Sequence, residues 1–155
     1  MQKLIVGDLI PKFILPDQDG SPVNILDFLG KQLLIYFYPK AMTPSCTIQA
    51  CNLRDNMDKF KSIGLEILGI STDKSEKLLR FIEQEMLCFT LLSDFNHQVS
   101  EQFGVWGKKF FMGKPYEGIN RTSFLINSYG YIEQIFNNFK INDHHNIILK
   151  YLQLI

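Results

Sequence analysis

Apolar positions along the chain follow two rhythms, and the rhythm changes at turn residues. Phe13-Ile14-Leu15-Pro16 and Val23-Asn24-Ile25 flank Asp17-Gln18-Asp19-Gly20-Ser21, which predicts a short hairpin turning at Asp19-Gly20. Gln32-Leu33-Leu34-Ile35-Tyr36-Phe37-Tyr38 is an unbroken apolar and aromatic run stopped by Pro39, the pattern of a central strand covered on both faces. Thr43-Pro44-Ser45 supplies helix-start chemistry, and Ile48, Leu53, Met57 and Phe60 then recur at mostly helical spacing until Gly64. This predicts one helix from Cys46 to about Ser62. Leu65–Ser71 reads as a second buried strand. Ser75–Met86 reads as a helix with Leu78, Leu79, Ile82 and Met86 on one side, and Phe89–Ser93 as a third strand. A short helix is expected over His97–Phe103. Thr122–Ile126 and Tyr131–Phe136 flank Asn127-Ser128-Tyr129-Gly130 as a hairpin. His144–Leu154 closes the chain as an amphipathic helix offering Ile147, Ile148, Tyr151, Leu152 and Ile155 for burial.

The order β-α-β-α-β-α-β-β-α predicts an α/β protein with three layers, its mixed sheet ending in an antiparallel pair. That is the order of a thioredoxin-like fold with an N-terminal β-hairpin. Proline and glycine are scattered, and no linker or repeat divides the chain. One domain is therefore expected over residues 1–155. A hydrophobic content of 46% and a charged content of 21% suit a globular core. The formal net charge is zero, which argues against nucleic acid and against an anionic membrane surface as partners. No segment is long enough to span a bilayer. The opening Met1–Asp8 lacks the apolar core of a signal peptide, and three cysteines are too few and too odd for a disulfide-stapled secreted scaffold. The expected compartment is a reducing cytoplasm, where a cysteine pair serves chemistry rather than cross-linking.

The candidate chemistry gathers on Cys46. It lies at the start of a predicted helix, three residues after Thr43 and seven after Pro39, with Cys51 five residues further on. A thiol becomes a strong nucleophile once it loses its proton. The unpaired N–H groups of a helix's first turn favour the anion, and so does a permanent guanidinium such as Arg121, which stands at the mouth of a predicted strand. Pro39 ends the preceding strand and offers no competing N–H.

Pro39-Lys40-Ala41-Met42-Thr43-Pro44-Ser45-Cys46 fits P-x-x-x-T/S-x-x-C, the motif of peroxiredoxins. With Phe37-Tyr38, Thr47 and Ala50-Cys51 added, the string resembles the branch called bacterioferritin comigratory protein or peroxiredoxin Q. The similarity extends to Gly69-Ile70-Ser71-Thr72-Asp73, Leu91-Leu92-Ser93-Asp94, Phe103-Gly104-Val105-Trp106-Gly107 and Arg121-Thr122-Ser123-Phe124-Leu125-Ile126. Ser45 stands where this branch commonly has glycine. The resemblance implies a peroxidatic Cys46, a resolving Cys51, and supporting roles for Pro39, Thr43 and Arg121. It also implies hydroperoxides as substrates and thioredoxin as electron donor, and calls for no cofactor or metal.

Attack on a peroxide leaves a sulfenic acid, which a second thiol must take up before further oxidation. Cys51 is the nearest candidate. Residues five apart on an ideal helix have Cα atoms separated by over roughly 8 Å, whereas a disulfide needs about 7 Å or less. A continuous helix holding both cysteines must therefore partly unwind in each cycle. An internal resolving thiol also removes the need for a partner subunit, so a monomer is expected.

Other residues have plainer readings. Cys88 has no motif around it and reads as an ordinary thiol, with a Cys46–Cys88 link left as the alternative pairing. His97 is expected to face solvent near a short helix. Adjacent His144 and His145 must point to different sides of their helix, against a metal pair. Trp106, Phe110, Phe111 and Tyr116 either line a pocket mouth or cover the core, and Lys108-Lys109 reads as a solvated loop. A thioredoxin-type disulfide oxidoreductase normally needs Cys-x-x-Cys, which this chain lacks. An idle redox sensor with a partner-binding surface is the remaining alternative.

Overall fold

The computed structural model describes residues 3–155; Met1 and Gln2, part of the opening stretch considered above, lie outside them. The apolar run of residues 33–37 forms β3 (Leu33–Phe37), with every side chain buried. It is central in a five-stranded sheet of order β5-β4-β3-β8-β9. On one side β4 (Glu66–Ser71) pairs parallel with it and β5 (Thr90–Ser93) parallel with β4; on the other β8 (Thr122–Ile126) pairs antiparallel with it and β9 (Ile132–Phe136) antiparallel with β8. The N-terminal hairpin is present as β1 (Ile14–Pro16) and β2 (Pro22–Asn24). Its turn is tied by the Asp17 carboxylate, which accepts from the Asp19 and Ser21 N–H groups at 2.9 and 3.0 Å. The expected mixed-sheet α/β architecture is therefore the observed one.

Strand alternation on β3 divides the interior into two cores. Leu34, Tyr36 and Tyr38 pack with Leu53, Phe60, Leu78, Phe81, Ile148 and Leu149, under helices α1 (Pro44–Asp55), α2 (Met57–Ser62), α3 (Ser75–Glu85) and α5 (His144–Tyr151). Leu33, Ile35 and Phe37 pack on the other face with Phe13, Val99, Phe103 and Phe124, where α4 (Gln98–Gln102) and the hairpin lie. Gly69 on β4 is required by this packing. A Cβ there would sit 2.8 Å from the Leu91 side chain and 2.9 Å from the Tyr36 ring. Gly69→Ala is expected to destabilise the fold by about 1–3 kcal/mol, read as a lower urea midpoint at unchanged slope. An unshifted midpoint would show that the Tyr36 ring yields freely.

Several elements differ from the sequence pattern. The single helix expected to Ser62 is two, broken at Asn56, whose backbone leaves the helical region and whose side-chain amide donates to the Asn52 carbonyl at 2.8 Å. An asparagine bonding its own backbone competes with helix propagation. Ile48 faces solvent, while Gln49 and Ala50 take the inward positions of α1. On α3 the core residues are Leu78 and Phe81. Met86 is 80% exposed in a left-handed conformation that ends the helix. On α5, Ile148 and Leu149 are buried, whereas Tyr151 and, beyond the end of the helix, Ile155 are exposed rather than buried.

Residues 106–119 form a second hairpin, β6 (Trp106–Phe111) and β7 (Lys114–Ile119), so Lys108 and Lys109 are strand residues rather than a loop. Met112 and Gly113, both at positive φ, make its turn. Phe110 and Phe111 remain exposed, so they neither cover the core nor impose a two-residue rhythm. His97 is half-buried, its ring stacked on Trp106 at 4.2 Å.

Candidate active site

The register of β3 with β8 builds the site. Phe37 pairs with Thr122, so Tyr38 and Arg121 meet one step beyond the last pair, where the chain leaves the sheet for α1. The connecting loop is pinned from β4. Asp73 accepts from the Ala41 N–H at 2.7 Å and from the Ser71 hydroxyl at 2.8 Å, and pairs with Lys77 at 3.1 Å. Met42 holds a left-handed backbone in this turn.

Helix α1 opens with Thr43 at the N-cap position and Pro44 after it. Proline lacks an N–H, and the Ser45 and Cys46 N–H groups lie in the first turn, where no helix carbonyl can reach them. The first intrahelical bond runs from the Thr47 N–H to the Thr43 carbonyl at 2.9 Å. The Thr43 hydroxyl does not cap these groups; it donates to the Lys40 carbonyl at 2.8 Å. Pro39 is half-buried at the end of β3.

Cys46 is buried, with 1% of its surface exposed. Arg121 reaches it from β8: Nη2 donates to Sγ at 3.2 Å and Nη1 donates to Gln49 Oε1 at 2.8 Å. Gln49, one turn beyond Cys46, is buried and fixes the guanidinium fork against α1. Sequence reasoning did not single it out. Its signal was the i+3 spacing from Cys46, which puts both side chains on one helix face. This places a permanent positive charge and a hydrogen-bond donor directly against the sulfur.

Around this pair the environment is apolar below and cationic at the rim. Tyr36 and Tyr38 lie stacked at 5.3 Å in the core that also holds Cys46, and the Tyr36 hydroxyl has no hydrogen-bond partner among the described residues. Burial, above all, raises both phenols and keeps them neutral. Lys109 on β6 donates to the Ile119 carbonyl at 2.8 Å; burial and then the Arg121 charge lower its pKa. A polar cavity lined in part by Asn120, Arg121, Asn137 and Asn138 does not include Cys46.

The remaining candidates sit apart. Cys51, half-buried on the same helix, donates from Sγ to Glu85 Oε1 at 3.5 Å. Its pKa is raised, first by burial and then by that bond. Cys88 is exposed, and all three thiols are free. His144 is fully buried and bonds Ser123 Oγ through Nε2 at 2.7 Å; burial pushes its pKa down to about 3. The structure thus brings Cys46 and Arg121 together, and adds Gln49. It leaves Cys51 turned to a different neighbour.

Residues 6–135 match the AhpC/TSA family. The chain is 62% identical over 153 residues to "Peroxiredoxin Bcp" of Escherichia coli strain K12, covering 99% of this chain and 98% of that one. It is 61% identical over 152 residues to a putative peroxiredoxin bcp of Buchnera aphidicola subsp. Schizaphis graminum, covering 98% and 96%. Among solved structures, the peroxidoxin BcpB of Mycobacterium tuberculosis superposes with a TM-score of 0.85 at 35% identity, covering 97% of each chain. The bacterioferritin comigratory protein of Xanthomonas campestris, described for alkyl peroxide reduction activity, superposes at 0.86 with 27% identity over 94% of this chain and 98% of that one. With a cysteine at a helix start under an arginine fork, and with these relatives along its whole length, the chain belongs to the AhpC/TSA family of peroxiredoxins, in its bacterioferritin comigratory protein branch.

Proposed function

We propose that the protein is a thiol peroxidase for hydrogen peroxide and organic hydroperoxides, with Cys46 as the attacking sulfur, Cys51 as the resolving thiol and thioredoxin as the reductant. The observation that carries this reading is the 3.2 Å bond from Arg121 to Cys46 Sγ at the open end of α1. The sulfur attacks the distal peroxide oxygen, an S–O bond forms as O–O breaks, and the alkoxide or hydroxide leaves with a proton as alcohol or water. Charge grows on the departing oxygen, where guanidinium and first-turn N–H donors stabilise it. The Thr43 hydroxyl can exchange the Lys40 carbonyl for a peroxide oxygen, and Pro39 walls the pocket.

Resolution follows. The Cys51 sulfur attacks the sulfenic sulfur, S–S forms and water leaves. Both cysteines lie within Pro44–Asp55, so the first turns of α1 unwind to let them meet. A disulfide in that loosened segment suits a protein dithiol such as thioredoxin. The internal pair fits a monomer, and three cysteines, too few and too odd for a disulfide-stapled scaffold, fit a reducing cytoplasm. Among the described residues, no helix is long and apolar enough to cross a membrane.

The test is peroxide-dependent oxidation of a thioredoxin–thioredoxin reductase couple. Wild type is expected to turn over. Cys51→Ser should react once and then stall or overoxidise unless a small thiol is added. Sustained thioredoxin-driven turnover by Cys51→Ser would remove Cys51 from the cycle, and a dominant Cys46–Cys88 link by mass spectrometry would transfer its role to Cys88.

A further inference from the structure

Cys51 is not idle between cycles; it is fastened. Its Sγ donates to the Glu85 side chain at 3.5 Å, and three residues on, Arg54 Nη1 donates to the Glu85 backbone carbonyl. Glu85 is the last residue of α3, next to the left-handed Met86 that ends that helix. One residue of α3 therefore grips two consecutive turns of α1, through its carboxylate and its carbonyl.

We infer that Glu85 is a positioning residue for the resolution step: with Arg54 it holds Cys51 in folded α1 as an S–H donor and restrains the unwinding that disulfide formation requires. This rests on Cys51 being the resolving thiol. Glu85 cannot serve as the base for that thiol at the moment of attack, because Cys51 must leave α1's folded path, and with it Glu85, to reach Cys46. The carboxylate thus acts before the chemistry, on the population of the unwound helix. A restrained helix lengthens the life of the sulfenic acid, and a second peroxide then competes with Cys51 for it.

The charged surroundings of Cys51 fix how the restraint responds to pH. Glu85 faces it from α3 and Arg54 and Asp55 from α1 itself, with Tyr36 acting on it from β3, while His145 of α5 acts on Asp143 and Asp55 and not on Cys51. Burial and the Glu85 bond hold the Cys51 pKa above its ordinary value of 9.0. A group raised on folding contributes its stabilisation in full below its unfolded pKa, and loses it as pH rises through the folded one. Above that point the thiolate and carboxylate repel, and the fastening is gone.

The experiment follows sulfenate appearance and Cys46–Cys51 disulfide growth by quenched mass spectrometry after one equivalent of hydrogen peroxide, in wild type, Glu85→Gln and Glu85→Ala, from neutral to alkaline pH. Sulfenate should appear equally fast in all three. At neutral pH the disulfide should grow about three- to tenfold faster in Glu85→Ala, the size of one ordinary hydrogen bond. Glu85→Gln should fall between, and the gap should close as pH rises. Equal rates at neutral pH, slower variants, or a rate ratio constant across pH would overturn the inference. If the wild type forms its disulfide and only these differences fail, the error lies with Glu85. If wild type forms no Cys46–Cys51 link at all, the resolving role of Cys51 fails, and this inference with it.

Discussion

Cys46→Ser is expected to lose peroxide turnover by roughly a thousandfold or more, as removal of a covalent nucleophile does in other enzymes. Serine nearly preserves the volume of a side chain that is 1% exposed in the core beneath α1, so the fold should survive. What changes is the attacking atom. A serine hydroxyl is a far weaker acid than a thiol, and the Arg121 bond cannot make it a comparable nucleophile toward an O–O bond. The check is initial rate against peroxide concentration, with the urea midpoint as the folding control. A variant within tenfold of wild type would mean that another group does the chemistry.

Arg121→Ala should carry the next largest effect, a loss of roughly 10²- to 10³-fold in kcat/KM, the range seen when one preorganised donor is removed from developing charge. The guanidinium has two tasks at once: Nη2 touches the sulfur, and Nη1 is anchored on Gln49. Lysine can supply the charge but cannot bridge both acceptors in one plane. Arg121→Lys is therefore expected to recover only part of the loss, and Gln49→Ala to fall between it and wild type. Stopped-flow measurement of the first oxidation isolates this step from resolution. Equal rates for wild type and Arg121→Ala would show that the arginine serves the fold and not the sulfur.

Where the chain buries both faces of an element, or marks its start with specific residues, the sequence was enough to read the structure. The run Leu33–Phe37 suits a central strand, and Thr43-Pro44 suits a helix start, and both are what is observed. These two features fixed the position of Cys46. Arg121 was singled out mainly by the resemblance of Arg121-Thr122-Ser123-Phe124-Leu125-Ile126 to the peroxiredoxin pattern, and its contact with Sγ depends on a β3–β8 register that no local pattern encodes. The hairpin of residues 106–119 escaped because its strands pair through backbone bonds while Phe110 and Phe111 point to water. The break at Asn56 turns on one side chain's bond to Asn52, which apolar spacing cannot register. Gln49, Asp73 and Glu85 are polar residues whose importance arises from contacts 72, 32 and 34 residues away along the chain.

The most direct measurement is of where the peroxide oxygen goes. Reduced Cys51→Ser protein, in which the proposed condensation with residue 51 is blocked, is given one equivalent of hydrogen peroxide, quenched within seconds with a sulfenate-specific trap, and mapped by peptide mass spectrometry. The account predicts near-stoichiometric trapping on Cys46 with Cys88 unmodified. Trapping spread over Cys88, or a Cys46 that stays reduced while peroxide persists, would contradict it.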